Sequence, residues 1–139
     1  ESGGGFAVQR SIQVQESLQK RILVADDSVT TRTLEKNILT NSGYQVLVAG
    51  DGMEAWTILQ TEHVDAVVSD VDMPVMNGFA LAEKVRADER LSHLPFVLVT
   101  GKEKPEDRLR GLQAGADVYL TKSGFDQTEL LETLERLIG

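Results

Sequence analysis

The chain of 139 residues carries a net charge of -8 at pH 7 and contains no cysteine. Its length suits one domain, its 41% hydrophobic and 26% charged residues are ordinary for a soluble globular domain, and no apolar run approaches the roughly 18 residues of a membrane span. The acidic balance argues against direct nucleic-acid binding. The absence of cysteine excludes disulfides and thiolate metal sites and suits a reducing cytoplasm.

The first 20 residues are weakly patterned. They begin with an acidic residue and contain three consecutive glycines, a composition typical of linkers and unlike the basic and then apolar order of a signal peptide. We expect a linker or the tail of a preceding domain over residues 1–20 and one folded domain over residues 21–139.

From residue 21 onward, short β-branched runs alternate with runs of helical periodicity. The predicted strands cover residues 21–26, 45–49, 65–70, 96–100 and 117–121. Their continuous apolar runs are typical of strands that are covered on both faces. Five βα units with short connections predict an α/β fold, with a doubly wound, five-stranded parallel sheet and helices on both faces. We expect the flavodoxin-like strand order 2-1-3-4-5.

The helical runs place apolar residues at a period near 3.6. Ala55, Ile58 and Leu59 share one face of the second helix. The last helix has a longer apolar face, formed by Leu130, Leu131, Leu134, Leu137 and Ile138. Gly43 and Gly115 stand where helices are expected to end.

Polar side chains stand at the ends of four predicted strands. They are Asp26 and Asp27 after the first strand, Asp70 and Asp72 after the third, Thr100 at the end of the fourth and Lys122 after the fifth. Open α/β sheets bind ligands at the carboxyl ends of their strands, where the strand order reverses. We therefore expect Asp26, Asp27 and Asp70 to meet at the switch point between strands one and three.

Such a group of carboxylates has a definite chemistry. Three clustered carboxylates repel one another, and a hard divalent cation relieves that repulsion. Oxygen ligands without His or Cys favour Mg²⁺ or Mn²⁺. The cation would screen Asp70, so that an anionic phosphoryl donor can approach it as a nucleophile, while Lys122 and Thr100 contact phosphoryl oxygens.

Each of these residues also has a structural interpretation. The Asp26-Asp27 pair could cap a helix together with Ser28, and Asp70 could form a turn. Thr100 and Lys122 taken singly are ordinary structural or surface residues. Their joint placement at one sheet edge favours the functional interpretation. Tyr119 stays open between a core aromatic and a mobile switch residue.

Four segments together carry a family resemblance. They are residues 21–28 (RILVADDS), 69–78 (SDVDMPVMNG), 99–101 (VTG) and 116–122 (ADVYLTK). The chain from about residue 21 to its end resembles the receiver domain of two-component response regulators. The resemblance implies that a histidine kinase or a histidine phosphotransfer domain donates the phosphoryl group and that an unknown downstream protein responds to it.

The resemblance also implies individual roles. Asp70 matches the phosphorylated aspartate, and Mg²⁺ would be held by Asp26, Asp27, Asp70 and the backbone carbonyl of Asp72. Thr100 matches the hydroxyl that turns toward the phosphoryl group, Tyr119 the aromatic that swings inward with it, and Lys122 the lysine that pairs with phosphoryl oxygens. Such a domain promotes its own phosphorylation and dephosphorylation without being a stand-alone enzyme.

A narrower resemblance comes from residues 27–44 (DSVTTRTLEKNILTNSGY), 69–78 and 122–127 (KSGFDQ). These segments are similar to the C-terminal receiver of hybrid chemotaxis-type histidine kinases, which implies that the parent chain is such a kinase. One position departs from the family pattern, because Ser123 follows Lys122 where many receivers have proline and a cis peptide. A cis bond before a residue other than proline costs roughly 2.5–4 kcal/mol, so we expect a trans bond here.

Three other functions fit parts of the pattern. A haloacid-dehalogenase-like phosphatase also forms an aspartyl phosphate and uses an Asp-x-Asp pair like Asp70 and Asp72, but after its first strand. A receiver-like module could bind protein independently of phosphorylation. A flavin-binding domain of the same topology would need a glycine loop after strand one, where Asp26 and Asp27 stand instead.

Overall fold

A computed structural model describes residues 19–123 and 126–139 of the chain. The predicted linker over residues 1–20 therefore lies outside the described residues, except for its last two. Every helix in the described part of the chain is too short or too polar to cross a lipid bilayer.

Strands and helices alternate strictly along the described residues. The strands are β1 Arg21–Ala25, β2 Gln45–Ala49, β3 Ala66–Ser69, β4 Phe96–Thr100 and β5 Val118–Thr121. The helices are α1 Val29–Asn41, α2 Gly52–Thr61, α3 Gly78–Ala87, α4 Pro105–Ala114 and α5 Gln127–Ile138. The sheet is parallel throughout and has the order β2-β1-β3-β4-β5, which confirms the predicted fold class and topology.

Three strands are shorter than predicted, and every residue that drops out is an aspartate. Asp26, Asp65, Asp70 and Asp117 lie directly outside strands, and each accepts a backbone N–H with its side chain. Aspartate is unfavourable within strands because its carboxylate competes for backbone donors in this way. Each of these three strands therefore begins or ends next to an aspartate.

The sheet separates two hydrophobic layers, because successive strand residues point to opposite faces. Leu23, Val67 and Leu98 pack with buried residues of α2, α3 and α4 on one face. Ile22 and Val24 pack on the other face with α1 and α5, including Leu130 and Leu134. Both predicted apolar helix faces are therefore confirmed.

The helix ends are formed by short polar residues and by glycine. The side chains of four N-cap residues accept a backbone N–H of the first turn; they are Ser28, Asp51, Asn77 and Asp126. Gly43 and Gly115 follow α1 and α4 with φ of 97° and 116°. These left-handed conformations cost glycine little, which confirms both predicted helix ends.

Two of the aspartates that lie just outside the strands link neighbouring strands at the N-terminal edge of the sheet. Asp65 accepts the backbone N–H of Arg21 at 2.8 Å, and Asp117 accepts the backbone N–H of Phe96 at 2.8 Å. Asp117 also pairs with the guanidinium of Arg86 at 2.9 Å. Each carboxylate thus satisfies the first donor of a neighbouring strand.

Candidate functional site

The C-terminal edge of the sheet gathers the predicted acidic residues. Carboxylate oxygens of Asp26, Asp27 and Asp70 all lie within 4.8 Å of one another. Asp26 and Asp70 are buried, whereas Asp27 is exposed. The sequence places the three residues close together but does not show that one of the adjacent pair is buried and the other open to solvent.

The backbone fixes the two buried carboxylates in place. The N–H of Asp70 donates to the carbonyl of Ala25 at 2.8 Å, which continues the pairing of β3 with β1 past the end of the strand. Asp70 Oδ1 accepts the N–H of Val71 at 2.7 Å, and Asp26 Oδ1 accepts the N–H of Ser28 at 2.9 Å. These bonds orient the carboxylates before any ligand arrives.

Lys122 joins the two buried carboxylates. Its Nζ lies 3.1 Å from Oδ2 of Asp26 and 3.2 Å from Oδ2 of Asp70. Its backbone N–H donates to the carbonyl of Thr100 at 2.7 Å, so β4 and β5 set the position from which the side chain extends.

The crowding of these groups changes their proton affinities. Burial raises the pKa of Asp70 above its ordinary range; the charge of Lys122 counteracts the increase and that of Asp26 adds to it. Burial acts to lower the pKa of Lys122, but hydrogen bonds and charges from Asp26 and Asp70 outweigh it and raise the pKa. The lysine is therefore firmly cationic, and it partly neutralises a carboxylate that is costly to ionise.

Thr100 and Tyr119 lie beside this group. Thr100 is fully buried, and its Oγ1 accepts the N–H of Lys102 at 3.2 Å. Tyr119 is also buried, and its hydroxyl donates to the carbonyl of Lys102 at 2.7 Å. This burial fits a core aromatic, and the switch role of Tyr119 stays a prediction.

Two glycines allow close packing around these residues. A Cβ on Gly78, at the start of α3, would collide with the backbone carbonyl of Asp70. A Cβ on Gly111, in α4, would lie 2.7 Å from the ring of Tyr119 and 3.0 Å from Leu98. Helices α3 and α4 therefore approach Asp70 and Tyr119 more closely than a larger residue would permit.

The loop after β3 and the loop after β4 meet at the rim of the site. Lys102 Nζ lies 3.7 Å from a carboxylate oxygen of Asp72, and both side chains are partly or largely exposed. This contact uses the side chain of Asp72. A role for its backbone carbonyl as a metal ligand stays a prediction.

The peptide bond after Lys122 is trans, as expected. The described residues contain no cis peptide, and these residues include Lys122 and Ser123. Residues 124 and 125, part of the motif at 122–127, lie outside the described residues.

Two residues near the site were not predicted. The guanidinium of Arg32 donates to the backbone carbonyl of Asp26 at 2.9 Å. Glu35 is buried in α1, and within residues 19–123 and 126–139 its Oε2 has no hydrogen-bond partner. The available signal was its spacing, because Glu35 shares the inner face of α1 with Ile38 and Leu39 while Leu34 is exposed.

The three aspartates suit a hard divalent cation. Their donors are all carboxylate oxygens, and their separation allows one ion to contact all three. Burial raises the pKa of Asp70 despite the opposing charge of Lys122, so further compensation by positive charge would favour its ionised form. A cation such as Mg²⁺ would provide that compensation.

The family model for the response regulator receiver domain matches residues 22–135. The chain is 39% identical over 121 residues to a chemotaxis protein CheY homolog of Campylobacter jejuni, covering 86% of this chain and 92% of that protein. It is 34% identical over 125 residues to a gliding motility regulatory protein of Myxococcus xanthus, covering 90% of this chain but only 16% of that much longer protein.

The fold has a similar match among solved structures. The receiver domain of a sensor histidine kinase from Pseudomonas aeruginosa PAO1 superposes with a TM-score of 0.80 at 31% identity, covering 87% of this chain and 98% of that one. That structure has a magnesium ion coordinated in its active site cleft.

Proposed function

The chain belongs to the response regulator receiver domains, and from this membership we propose that it accepts a phosphoryl group on Asp70 in a magnesium-dependent reaction. The observation that carries the proposal is the group formed by Asp26, Asp27, Asp70 and Lys122 at the switch point of the sheet. It combines a nucleophilic carboxylate, ligands for a cation and an ammonium within reach of both.

The phosphoryl donor in this proposal is a phosphohistidine of a histidine kinase or a histidine phosphotransfer domain. A carboxylate oxygen of Asp70 forms a bond to phosphorus as the bond from phosphorus to the imidazole nitrogen breaks, and the imidazole leaves with that electron pair. The Val71 N–H, 2.7 Å from Oδ1, holds the carboxylate in a single orientation during transfer.

The charge on the transferred group would be stabilised by residues of the same site. Lys122 reaches Asp70 at 3.2 Å and would follow the phosphoryl oxygens, and the Thr100 hydroxyl has a proton to donate to one of them. Asp26, Asp27, Asp70 and the Asp72 carbonyl would hold Mg²⁺ (or Mn²⁺). When bound, that ion neutralises negative charge between carboxylate and phosphoryl group.

The response is a change in the surface around β4, α4 and β5. Thr100 is the last residue of β4, and Lys122 directly follows β5. The hydroxyl of Tyr119 donates to the backbone carbonyl of Lys102, which lies in the loop between β4 and α4. A phosphoryl group that draws Thr100 and Lys122 toward itself would bias the position of Tyr119 and of this loop. A downstream protein would recognise the altered surface.

We place this domain at residues 21–139, after a linker, within a longer cytoplasmic hybrid kinase of the chemotaxis type. The support is the segment similarity together with the similar receiver domain of a sensor histidine kinase. Sequencing the complete gene tests this context. A gene that encodes no kinase module would contradict it.

Intact-mass spectrometry tests the central proposal. Incubation with Mg²⁺ and acetyl phosphate should add the mass of one phosphoryl group to the wild type and to Asp65→Asn, a matched control at the opposite sheet edge. Asp70→Asn should gain nothing. An unchanged wild-type mass with several phosphodonors would instead favour a phosphorylation-independent binding module, and rapid turnover of p-nitrophenyl phosphate would favour the haloacid-dehalogenase-like phosphatase.

A further inference from the structure

Glu35 is an unexplained buried acid close to the site. Glu35 is 3% exposed, and its Oε2 has no hydrogen-bond partner among the described residues. Buried polar atoms without partners are rare in native proteins, and each one needs a physical reason. Glu35 is not a member of the proposed metal or phosphoryl site.

Glu35 and Lys122 line the same cavity. This cavity has a volume of about 170 Å³ and is bounded by Thr31, Leu34, Glu35, Val99 and Lys122. Thr31, Leu34 and Glu35 lie on one side of α1, and Val99 directly precedes Thr100 in β4. The lysine thus contacts the carboxylates of Asp26 and Asp70 and shares a cavity with Glu35.

Burial, more than the surrounding charges, favours the protonated form of Glu35. Burial raises its pKa to about 8, the negative charges of Asp26 and Asp70 add to the rise, and Lys122 counteracts it. An ammonium that moved closer would favour the ionised form of Glu35. The carboxyl can therefore pair with Lys122, but it does not compete for the lysine while Asp26 and Asp70 hold it.

A divalent cation would disturb this arrangement. The ion would bind the two carboxylates that now hold Lys122 at 3.1 and 3.2 Å, and its positive charge would repel the ammonium. The flexible lysine stem allows the charged end to turn into the cavity that it already lines. We propose that Glu35 is a positioning residue for Lys122, whose ammonium it receives when a divalent cation occupies the three aspartates.

This inference rests on the proposed function, and a double-mutant cycle tests it with magnesium alone. Calorimetry should show that Glu35→Gln weakens Mg²⁺ binding by about three- to tenfold, because the displaced lysine loses its acceptor. In a Lys122→Met background the same substitution should change affinity less than about twofold. Glu83→Gln, which removes an exposed charge on α3, controls for net charge.

Two results would overturn the inference. One is equal magnesium affinity for the wild type and Glu35→Gln, and the other is an equal loss in both backgrounds, which would indicate direct attraction between Glu35 and the ion. Thermal melting confirms that each variant is folded, and Glu35→Met provides a second uncharged variant with the same expected result.

Carboxyl ¹³C NMR gives an independent readout. Saturation with Mg²⁺ should move the Glu35 resonance toward its ionised position in the wild type but not in Lys122→Met, and a wild-type resonance that stays in place would refute the inference. Failure of acetyl phosphate to modify Asp70 would refute the proposed function, whereas normal modification without coupling between Glu35 and Lys122 would refute this inference alone.

Discussion

Asp65 and Asp117 stand at the N-terminal edge of the sheet, Asp26 and Asp70 at its C-terminal edge, and all four lie directly outside a strand. The side chains of Asp65 and Asp117 are 22% and 42% exposed, and each accepts the first N–H of a neighbouring strand. The side chains of Asp26 and Asp70 are 1% and 8% exposed and share one lysine.

The difference lies in what surrounds each carboxylate. Water and separate donors satisfy the aspartates of the N-terminal edge, so their contribution is to stability. Burial and mutual repulsion leave the aspartates of the C-terminal edge with negative charge that a cation or a phosphoryl reaction can use. The same residue type thus supports structure at one edge and, in the proposed function, chemistry at the other, and four experiments examine this division.

The largest effect is expected from Asp27→Ala. Removal of an exposed carboxylate from the three-aspartate group should weaken Mg²⁺ binding about 100-fold or more, because a small hard ion loses a charged oxygen ligand. Isothermal titration calorimetry measures the change. Asp65→Asn, at the opposite edge, should bind Mg²⁺ like the wild type. Equal losses of Mg²⁺ affinity in both variants would contradict the proposed difference between the two edges.

A pH effect on stability should follow from Glu35. Its pKa rises from 4.5 to about 8 in the folded protein, so between these values the folded chain holds a proton that the unfolded chain has released. The free energy of unfolding should therefore fall as pH increases through this window, by on the order of a few kcal/mol. Urea unfolding in magnesium-free buffer measures it.

The matched variant Glu35→Gln cannot ionise, so this component of the pH dependence should be absent from its unfolding curve. A wild type and a Glu35→Gln variant with parallel stability profiles from pH 5 to about 8 would show that Glu35 is ionised in the folded protein.

A smaller effect is expected from Asp117→Ala. The substitution leaves the Phe96 N–H without its acceptor and removes the partner of Arg86, so we expect a loss of about 1–3 kcal/mol in the free energy of unfolding. Magnesium affinity should not change. A loss of magnesium binding in a variant that still folds would contradict the division between the edges.

The smallest effect concerns the exposed pair of Arg21 and Glu62, whose charged atoms lie 2.9 Å apart at the N-terminal edge. Glu62→Gln should cost less than about 1 kcal/mol, because solvent screens the pair and the guanidinium keeps its bond to the carbonyl of His63. Chemical denaturation beside the wild type measures this difference. A cost equal to that of Asp117→Ala would mean that exposure does not set the strength of these contacts.

Much of this organisation was predictable from the sequence. Strand ends of a parallel sheet meet at one edge, so the meeting of Asp26, Asp27 and Asp70 followed from the strand assignment and the expected strand order. The left-handed glycines at 43 and 115 were predictable because helix ends favour that residue. These features depend on local chemistry and on topology.

Other features depend on distances between elements that are far apart in the chain. The burial of Glu35 follows from the placement of α1 beside Lys122, 87 positions later in the sequence. A residue pattern gives the face of a helix, but it does not give the partner that this face meets.

The missing side chain at Gly111 has a consequence for anyone who redesigns this domain. The ring of Tyr119 fills the volume that a methyl group at position 111 would need. Gly111→Ala would therefore force the ring of Tyr119 to shift, and it would do so without changing any charged residue. In the proposed function, one added carbon atom on α4 would separate phosphoryl transfer to Asp70 from the surface response at Tyr119.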